Sequence, residues 1–192
     1  MSLRTTRKRL GAAVVAALAV GAMAVSASPA SAKMSDGYVR GYDEFAGDWG
    51  DEGELGRELG QTPDVSVSNA VCLWQRILWA EGARKTHQPG SPKFSKSDID
   101  GVFGWDTYYA TANLQRQWDI GVDTWVGNET FGRADNQLVK TGGSIDRGET
   151  LYLKYNGKEH DFNLRRNTQG IYLFPDANDD WRQAGYNYLS CG

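Results

Sequence analysis

Two stretches of this 192-residue chain repeat a scheme that could grip the polar end of a ligand. The first is Asp100-Gly101-Val102-Phe103-Gly104-x-x-Thr107; the second is Asp123-Thr124-Trp125-Val126-Gly127-x-x-Thr130. In the first, Asp100-Gly101 makes a tight turn and Phe103 anchors that turn in a core. Gly104 lets the backbone approach closely or take a positive φ. Trp105-Asp106-Thr107 then opens a helix whose unpaired N–H groups can hold a carboxylate or another anion. Trp105, Tyr108, Tyr109 and Trp125 offer flat faces to a sugar or a peptide. Tyr108 and Tyr109 are the best placed of these, because they fall off the core stripe of their helix. Asn128 follows the second stretch as the cap of a further helix. The candidate ligand-binding residues are therefore Asp100, Gly104, Trp105, Thr107, Tyr108, Tyr109, Trp125 and Asn128.

The same inventory leaves little for catalysis. Only two histidines exist, His87 and His160, and neither sits in a His-x-His or His-Glu-x-x-His set. A catalytic zinc site takes three protein ligands plus water. Ser144 and Ser190 have no evident base, so a serine triad has no support. Asp176-x-Asn178-x-Asp180 looks like the start of a calcium loop. Its sixth and twelfth places hold Trp181 and Asn187 instead of glycine and glutamate, which makes it a solvated turn. No catalytic residue, metal ligand or cofactor is assigned. A compact hydrolase working through two carboxylates stays open, since such chemistry needs only two acids at the right separation.

Three helices must position these residues. Ser68 caps a helix over Asn69 to Glu81, stopped by Gly82. Val71, Trp74 and Leu78 form one apolar stripe on it, and Leu73, Ile77 and Ala80 a second, so it needs two partners. Asp106 caps a second helix running to about Trp118, with Ala110, Thr111, Leu114 and Trp118 as its core stripe. Asn128 caps a third, to about Gln137. Gln75 and Gln115 occupy matching places in the first two helices. As buried amides they need hydrogen-bond partners.

In order, Val71-x-x-Trp74-Gln75-x-x-Leu78-x-x-x-Gly82 and the two Asp-led units resemble the bacterial peptidoglycan-binding domain. That domain is a small three-helix module attached to many cell-wall hydrolases. The resemblance covers roughly residues 65–138 and implies binding of peptidoglycan, through its stem peptide or its glycan, with Gln75 and Gln115 each fixing a turn instead of touching ligand. The chain departs from the family twice. The loop from Arg84 to Ser97, with Pro89, Gly90 and Pro92, is longer. Thr124 stands where the family has glycine, so the second turn is expected to differ in shape.

The remaining segments bound the setting. Residues 1–32 read as a secretory signal: Arg4, Arg7, Lys8 and Arg9, an apolar stretch from Leu10 to Val25, then Ala30-Ser31-Ala32. Removing them leaves 17 basic against 24 acidic residues, a net charge of −7. Such a chain is a poor partner for nucleic acid. The expected setting is secreted, extracellular or cell-wall associated, with no membrane attachment once the signal is cleaved. Cys72 and Cys191 read as one disulfide in an oxidising compartment. Residues 33–64 are an acidic arm in which Tyr38, Tyr42, Phe45 and Trp49 recur at helical spacing. After Gly142-Gly143 the character changes. Leu151, Leu153 and Tyr155 alternate with polar residues, and Asn156-Gly157 marks a two-residue hairpin. Phe162 and Leu164 lie in the return strand. Gly170 to Phe174, and Tyr186 to Leu189, are further short strands.

The expected fold class is α+β: a three-helix peptidoglycan-binding-like bundle over 65–140 with a small antiparallel β extension over 141–192, tied by the disulfide. The expected function is non-catalytic wall binding. A carboxylate hydrolase is the second possibility, and a scaffold that regulates another secreted protein is the third.

Overall fold

A computed structural model describes residues 36–53, 55–57 and 65–191. The signal segment 1–32 lies outside the described residues, as do residues 58–64 of the arm with Pro63.

Helix α1, Asn69–Glu81, is the centre of the molecule. Ser68 caps it through its hydroxyl, which accepts from the Val71 N–H at 3.2 Å, and Gly82 ends it at φ 63°. Every α1 residue except Trp79 is buried. A helix buried all round needs cover on every side. One side is met by α2 (Trp105–Gln117) and α3 (Asn128–Asp135), through Trp74 against Trp118 and Phe131. The other is met by a five-stranded antiparallel sheet: β1 Leu138–Gly143, β2 Leu151–Asn156, β3 Asp161–Arg166, β4 Tyr172–Pro175 and β5 Trp181–Gln183, in that spatial order. Leu151, Leu153, Tyr155, Phe162, Leu164, Tyr172 and Phe174 line the buried sheet face and share one core with α1. Tyr155 reaches α1 directly, its hydroxyl donating to Glu81 at 2.9 Å.

The sheet corrects the expected fold class. It is a substantial half of an α+β fold, where a small extension on a helical bundle was expected. Two misread elements explain the underestimate. β1 begins at Leu138, inside the span assigned to the helices, and only its first residue is buried. An edge strand with a bulge and no buried face carries no period-2 pattern. The last strand is Trp181–Gln183, while Tyr186 to Leu189 is no strand. The Asn156-Gly157 hairpin is also longer than its dipeptide predicts: Asn156 pairs with Asp161, leaving four residues in the loop. The backbone N–H groups of Glu159 and His160 both donate to the Ala80 carbonyl. Satisfying the open end of α1 thus sets the loop.

The other helix boundaries shift slightly. α2 is capped by Gly104 instead of Asp106, and α3 by Gly127 instead of Asn128. Neither cap contributes a side-chain hydrogen bond.

The disulfide Cys72–Cys191 is present. It draws the C-terminal segment over the start of α1, where the Asn69 and Ala70 N–H groups donate to the carbonyls of Tyr188 and Gly185, both at 2.9 Å. Residues 36–53 form turns and isolated bridges, not the helix their aromatic spacing suggests; Tyr38 bridges Gly185 and Arg40 bridges Ile171. Trp49 is completely buried between Phe131 and Tyr172. No helix among the described residues is long and apolar enough to cross a membrane.

Candidate functional site

The two repeated turns are built from the same parts. Gln75 projects from α1, buried. Its Oε1 accepts from the backbone N–H groups of Asp100 (3.0 Å) and Gly101 (2.8 Å). Its Nε2 faces Asp100 Oδ1 (2.9 Å), the Val102 carbonyl (3.0 Å) and Thr107 Oγ1 (3.0 Å). Gln115 repeats this from α2. Its Oε1 accepts from the Thr124 N–H (2.9 Å), and its Nε2 faces Asp123 Oδ1 (2.8 Å), the Trp125 carbonyl (2.8 Å) and Thr130 Oγ1 (3.0 Å). In both units the aspartate also accepts from the N–H two residues on, Val102 or Trp125, each at 2.9 Å. An amide with one acceptor and two donor protons is suited to bind a loop and a helix start together. Gln75 and Gln115 therefore fix the turns, as their placement suggested.

The two turns also agree in shape, against the expectation raised by Thr124. Gly101 has φ 73° and Thr124 has φ 70°. A threonine in the left-handed region is strained, by about 1–3 kcal/mol. Gly101 has no such latitude: a Cβ there would lie 2.2 Å from Leu189 Cδ1 and 2.7 Å from Cys72 Sγ. Gly104 is less constrained than expected. Its φ is −79°, and a Cβ would meet nothing nearer than the Val102 carbonyl at 3.9 Å.

Each helix start opens on a concavity. Asp100, Gly104, Trp105 and Thr107 line one of about 290 Å3, together with Gln75, Ser97, Asp98 and Asp106. Trp125 and Asn128 line the other, of about 500 Å3, with Asp123, Gly127, Glu129 and Thr130. Trp105 is half exposed and also edges a third hollow that contains Arg57, Val67 and Val102. The Arg57 guanidinium lies 3.6 Å above the Trp105 ring centroid. Tyr109 stacks on Trp105 at 5.7 Å and Tyr108 meets its edge at 5.5 Å. Tyr108 and Tyr109 line neither helix-start concavity. They form an aromatic bank beside the first, and Tyr108 also packs against the core. The long Arg84–Ser97 loop folds back on α2: Asn113 donates to the carbonyls of Arg84 and Thr86, and His87 meets the edge of Tyr109.

The electrostatics were not legible in advance. Asp98, Asp100 and Asp106 line the first concavity, and Asp123 and Glu129 the second. Lys85 sits 2.5 Å from Asp98 and 3.4 Å from Asp106. Burial alone would raise the Asp98 carboxyl, but hydrogen bonds from Lys85 and Ser95 outweigh it and hold the group below its usual range. The open N–H groups of each first helical turn thus lie beside carboxylates. An amide suits this pairing, because it offers a carbonyl to the N–H groups and an N–H to the acids. A free carboxylate suits it less. The signal was present in the sequence as acids in the first turn of each helix, Asp106 and Glu129.

Outside these concavities, Asp176 is buried. It accepts from the N–H groups of Asn178 and Asp180 and pairs with Arg182 at 2.7 Å, so its oxygens serve the turn.

Among known proteins, the chain is similar to a spore cortex-lytic enzyme of Halalkalibacterium halodurans, 36% identical over 62 residues. That stretch is 32% of this chain and 19% of the relative, so the match spans about a fifth of the relative's length. No family model matches, and no solved structure matches.

Proposed function

We propose that this protein binds peptidoglycan without cleaving it, at the two helix-start concavities. The observation that carries this reading is the duplicated Gln–Asp–Thr turn. Two buried glutamines hold two similarly built loop-to-helix junctions open toward solvent, each edged by an aromatic residue and by acids. The ligand groups that suit this lining are the peptide amides of a stem peptide. Helix N–H groups take the carbonyl, Asp100 or Asp123 takes the N–H, and Trp105 with Tyr109 supplies a face. The partial likeness to a cortex-lytic enzyme supports a wall-related role. Secretion through the 1–32 signal belongs to the same proposal. The carboxylates pushed furthest toward protonation, Asp48, Glu52 and Asp135, are buried and line neither concavity, so they do not suggest an accessible general acid.

The test is co-sedimentation of residues 33–192 with purified sacculi, with released fragments assayed in the same tube. Pelleting without release, weakened by Trp105→Ala combined with Tyr109→Ala, is the expected result. Soluble muropeptides in the supernatant would establish hydrolysis instead. No pelleting at all would remove the wall from the account.

A further inference from the structure

The sheet has a second face. Along β2 and β3 the buried residues alternate with Tyr152 and Lys154, and with Asn163 and Arg165, which point the other way. The register aligns Gly142, Tyr152, Arg165, Leu173 and Gln183 in one row across all five strands. Trp181 lies two residues from Gln183, on the same side. This outer face is concave. A hollow of about 370 Å3 is lined by Thr141, Gly142, Tyr152, Asn163, Arg165 and Trp181 among others. Tyr152 and Trp181 are 51% and 44% exposed. The Arg165 guanidinium lies 4.6 Å from the Trp181 ring centroid and makes no ion pair with any described carboxylate. The other charges on this face, Lys154 and Asp161, pair with each other at 3.0 Å.

The contrast with the helix starts decides the ligand. Those concavities are lined by acids, whereas this one holds an unpaired arginine and no carboxylate. On a chain of net charge −3 that is a local inversion of sign. Two exposed rings flanking a cation suit a polymer whose units offer C–H faces to the rings and a negative group between them. Sugar rings carrying carboxylates have that chemistry.

We propose that the outer face of the sheet is a second binding site, for a glycan strand that carries carboxylate groups. Tyr152 and Trp181 stack on sugar rings, Arg165 pairs with a carboxylate, and Asn163 and Thr141 meet hydroxyl or acetamido groups. This rests on the wall-binding reading and divides the labour: peptide and amide groups go to the helix starts, the acidic glycan to the sheet.

The probe is peptidoglycan glycan strands stripped of stem peptide by an amidase, so that each muramic lactyl carboxylate is free. Chito-oligosaccharide, neutral and built on the same amino sugar, is the control. Binding to the mature chain is followed by calorimetry. Arg165→Gln should weaken the stripped strands by about tenfold or more, the range for loss of a charged hydrogen bond, and leave chito-oligosaccharide unchanged. Trp181→Ala with Tyr152→Ala should remove binding of both. Tyr152 and Trp181 are exposed and Arg165 is half-buried, and circular dichroism of each variant checks that it is folded. The Trp105→Ala, Tyr109→Ala variant should bind stripped strands normally. Binding of intact sacculi without any binding of stripped strands would overturn the sheet site and leave the helix-start reading standing. So would stripped-strand binding that the helix-start variant removes, or that Arg165→Gln leaves intact. Binding of neither material would overturn both readings.

Discussion

At the residue scale, two side chains matter most to the site, and neither was named as a ligand contact. Gln75 satisfies two loop N–H groups and three acceptors from inside the core. Gln75→Ala would leave the buried Gly101 N–H and Thr107 hydroxyl without their amide partner. We expect a loss of about 2–4 kcal/mol, at the upper end for buried polar groups left unpaired, seen as a lower urea midpoint. Gln115→Ala should cost less, because Gln115 Oε1 holds one loop N–H where Gln75 holds two. Thr124 and Gly101 give a paired test of turn strain. Thr124→Gly should be neutral or stabilising by up to about 1 kcal/mol, since relief of the left-handed strain competes with glycine's larger unfolded-state entropy. Gly101→Thr should be strongly destabilising, because its Cβ would strike Leu189 and Cys72. Destabilisation by Thr124→Gly as large as that by Gly101→Thr, measured by thermal unfolding, would show that Thr124 carries no left-handed strain. The matching roles of Gln75 and Gln115 were legible, because both hold the same place in their helices ahead of an Asp-led turn and a buried amide needs hydrogen-bond partners. The acids beside them were not, because a first-turn Asp or Glu reads equally as a helix-stabilising charge.

At the element scale, α1 was legible from cap to stop: Ser68, two apolar stripes and Gly82 are local signals. The strands were legible only where one face is buried. β2 alternates cleanly, whereas β1 does not. The C-terminal segment acquires its role from the disulfide. It supplies the carbonyls of Gly185 and Tyr188 to the first turn of α1, and Asn69 answers by accepting from the Ser190 N–H at 2.8 Å. Cys191→Ser should therefore do more than remove a covalent tie. We expect a loss of about 2–4 kcal/mol, accompanied by faster amide exchange at Asn69 and Ala70. Exchange there that stayed as slow as in the parent would show that the segment docks without the bridge.

At the scale of the whole molecule, residues 36–53 are held to the body by buried acids. Asp48 accepts from Arg166 Nη1 at 2.7 Å and from the Tyr172 hydroxyl at 2.6 Å; Glu52 accepts from the Arg40 N–H at 2.8 Å and from the Tyr186 hydroxyl. Burial raises Asp48 and Asp135 to about 6 and Glu52 to about 8, outweighing those hydrogen bonds. Folding then takes up protons. A group raised in the folded state adds stability that is complete below its ordinary pKa and is lost as pH climbs through the raised one. Here that loss runs from pH 4 through about 8. Asp98, Asp176 and Asp179 are lowered and act in the opposite sense, losing their contribution in acid. The expected optimum lies near pH 5, on this balance of shifts. Melting temperature should fall between pH 6 and 9, and Glu52→Gln should flatten that fall. A melting temperature that rises over the same interval in the parent would contradict this arrangement.

By itself the sequence determined what depends on neighbours along the chain. That covers the boundaries of α1, the two Asp-led turns and the alternating β2 and β3; the pairing of the only two cysteines followed from their number. Tertiary structure decided the rest. It made the sheet half of the fold, because a helix apolar on two sides must find a second layer, and only packing shows how large that layer is. It made Trp49 core, because a tryptophan in an acidic, glycine-rich segment is buried only if something folds over it. It gave the outer sheet face its unpaired arginine, because the charge around that hollow is summed in space over strands far apart in sequence.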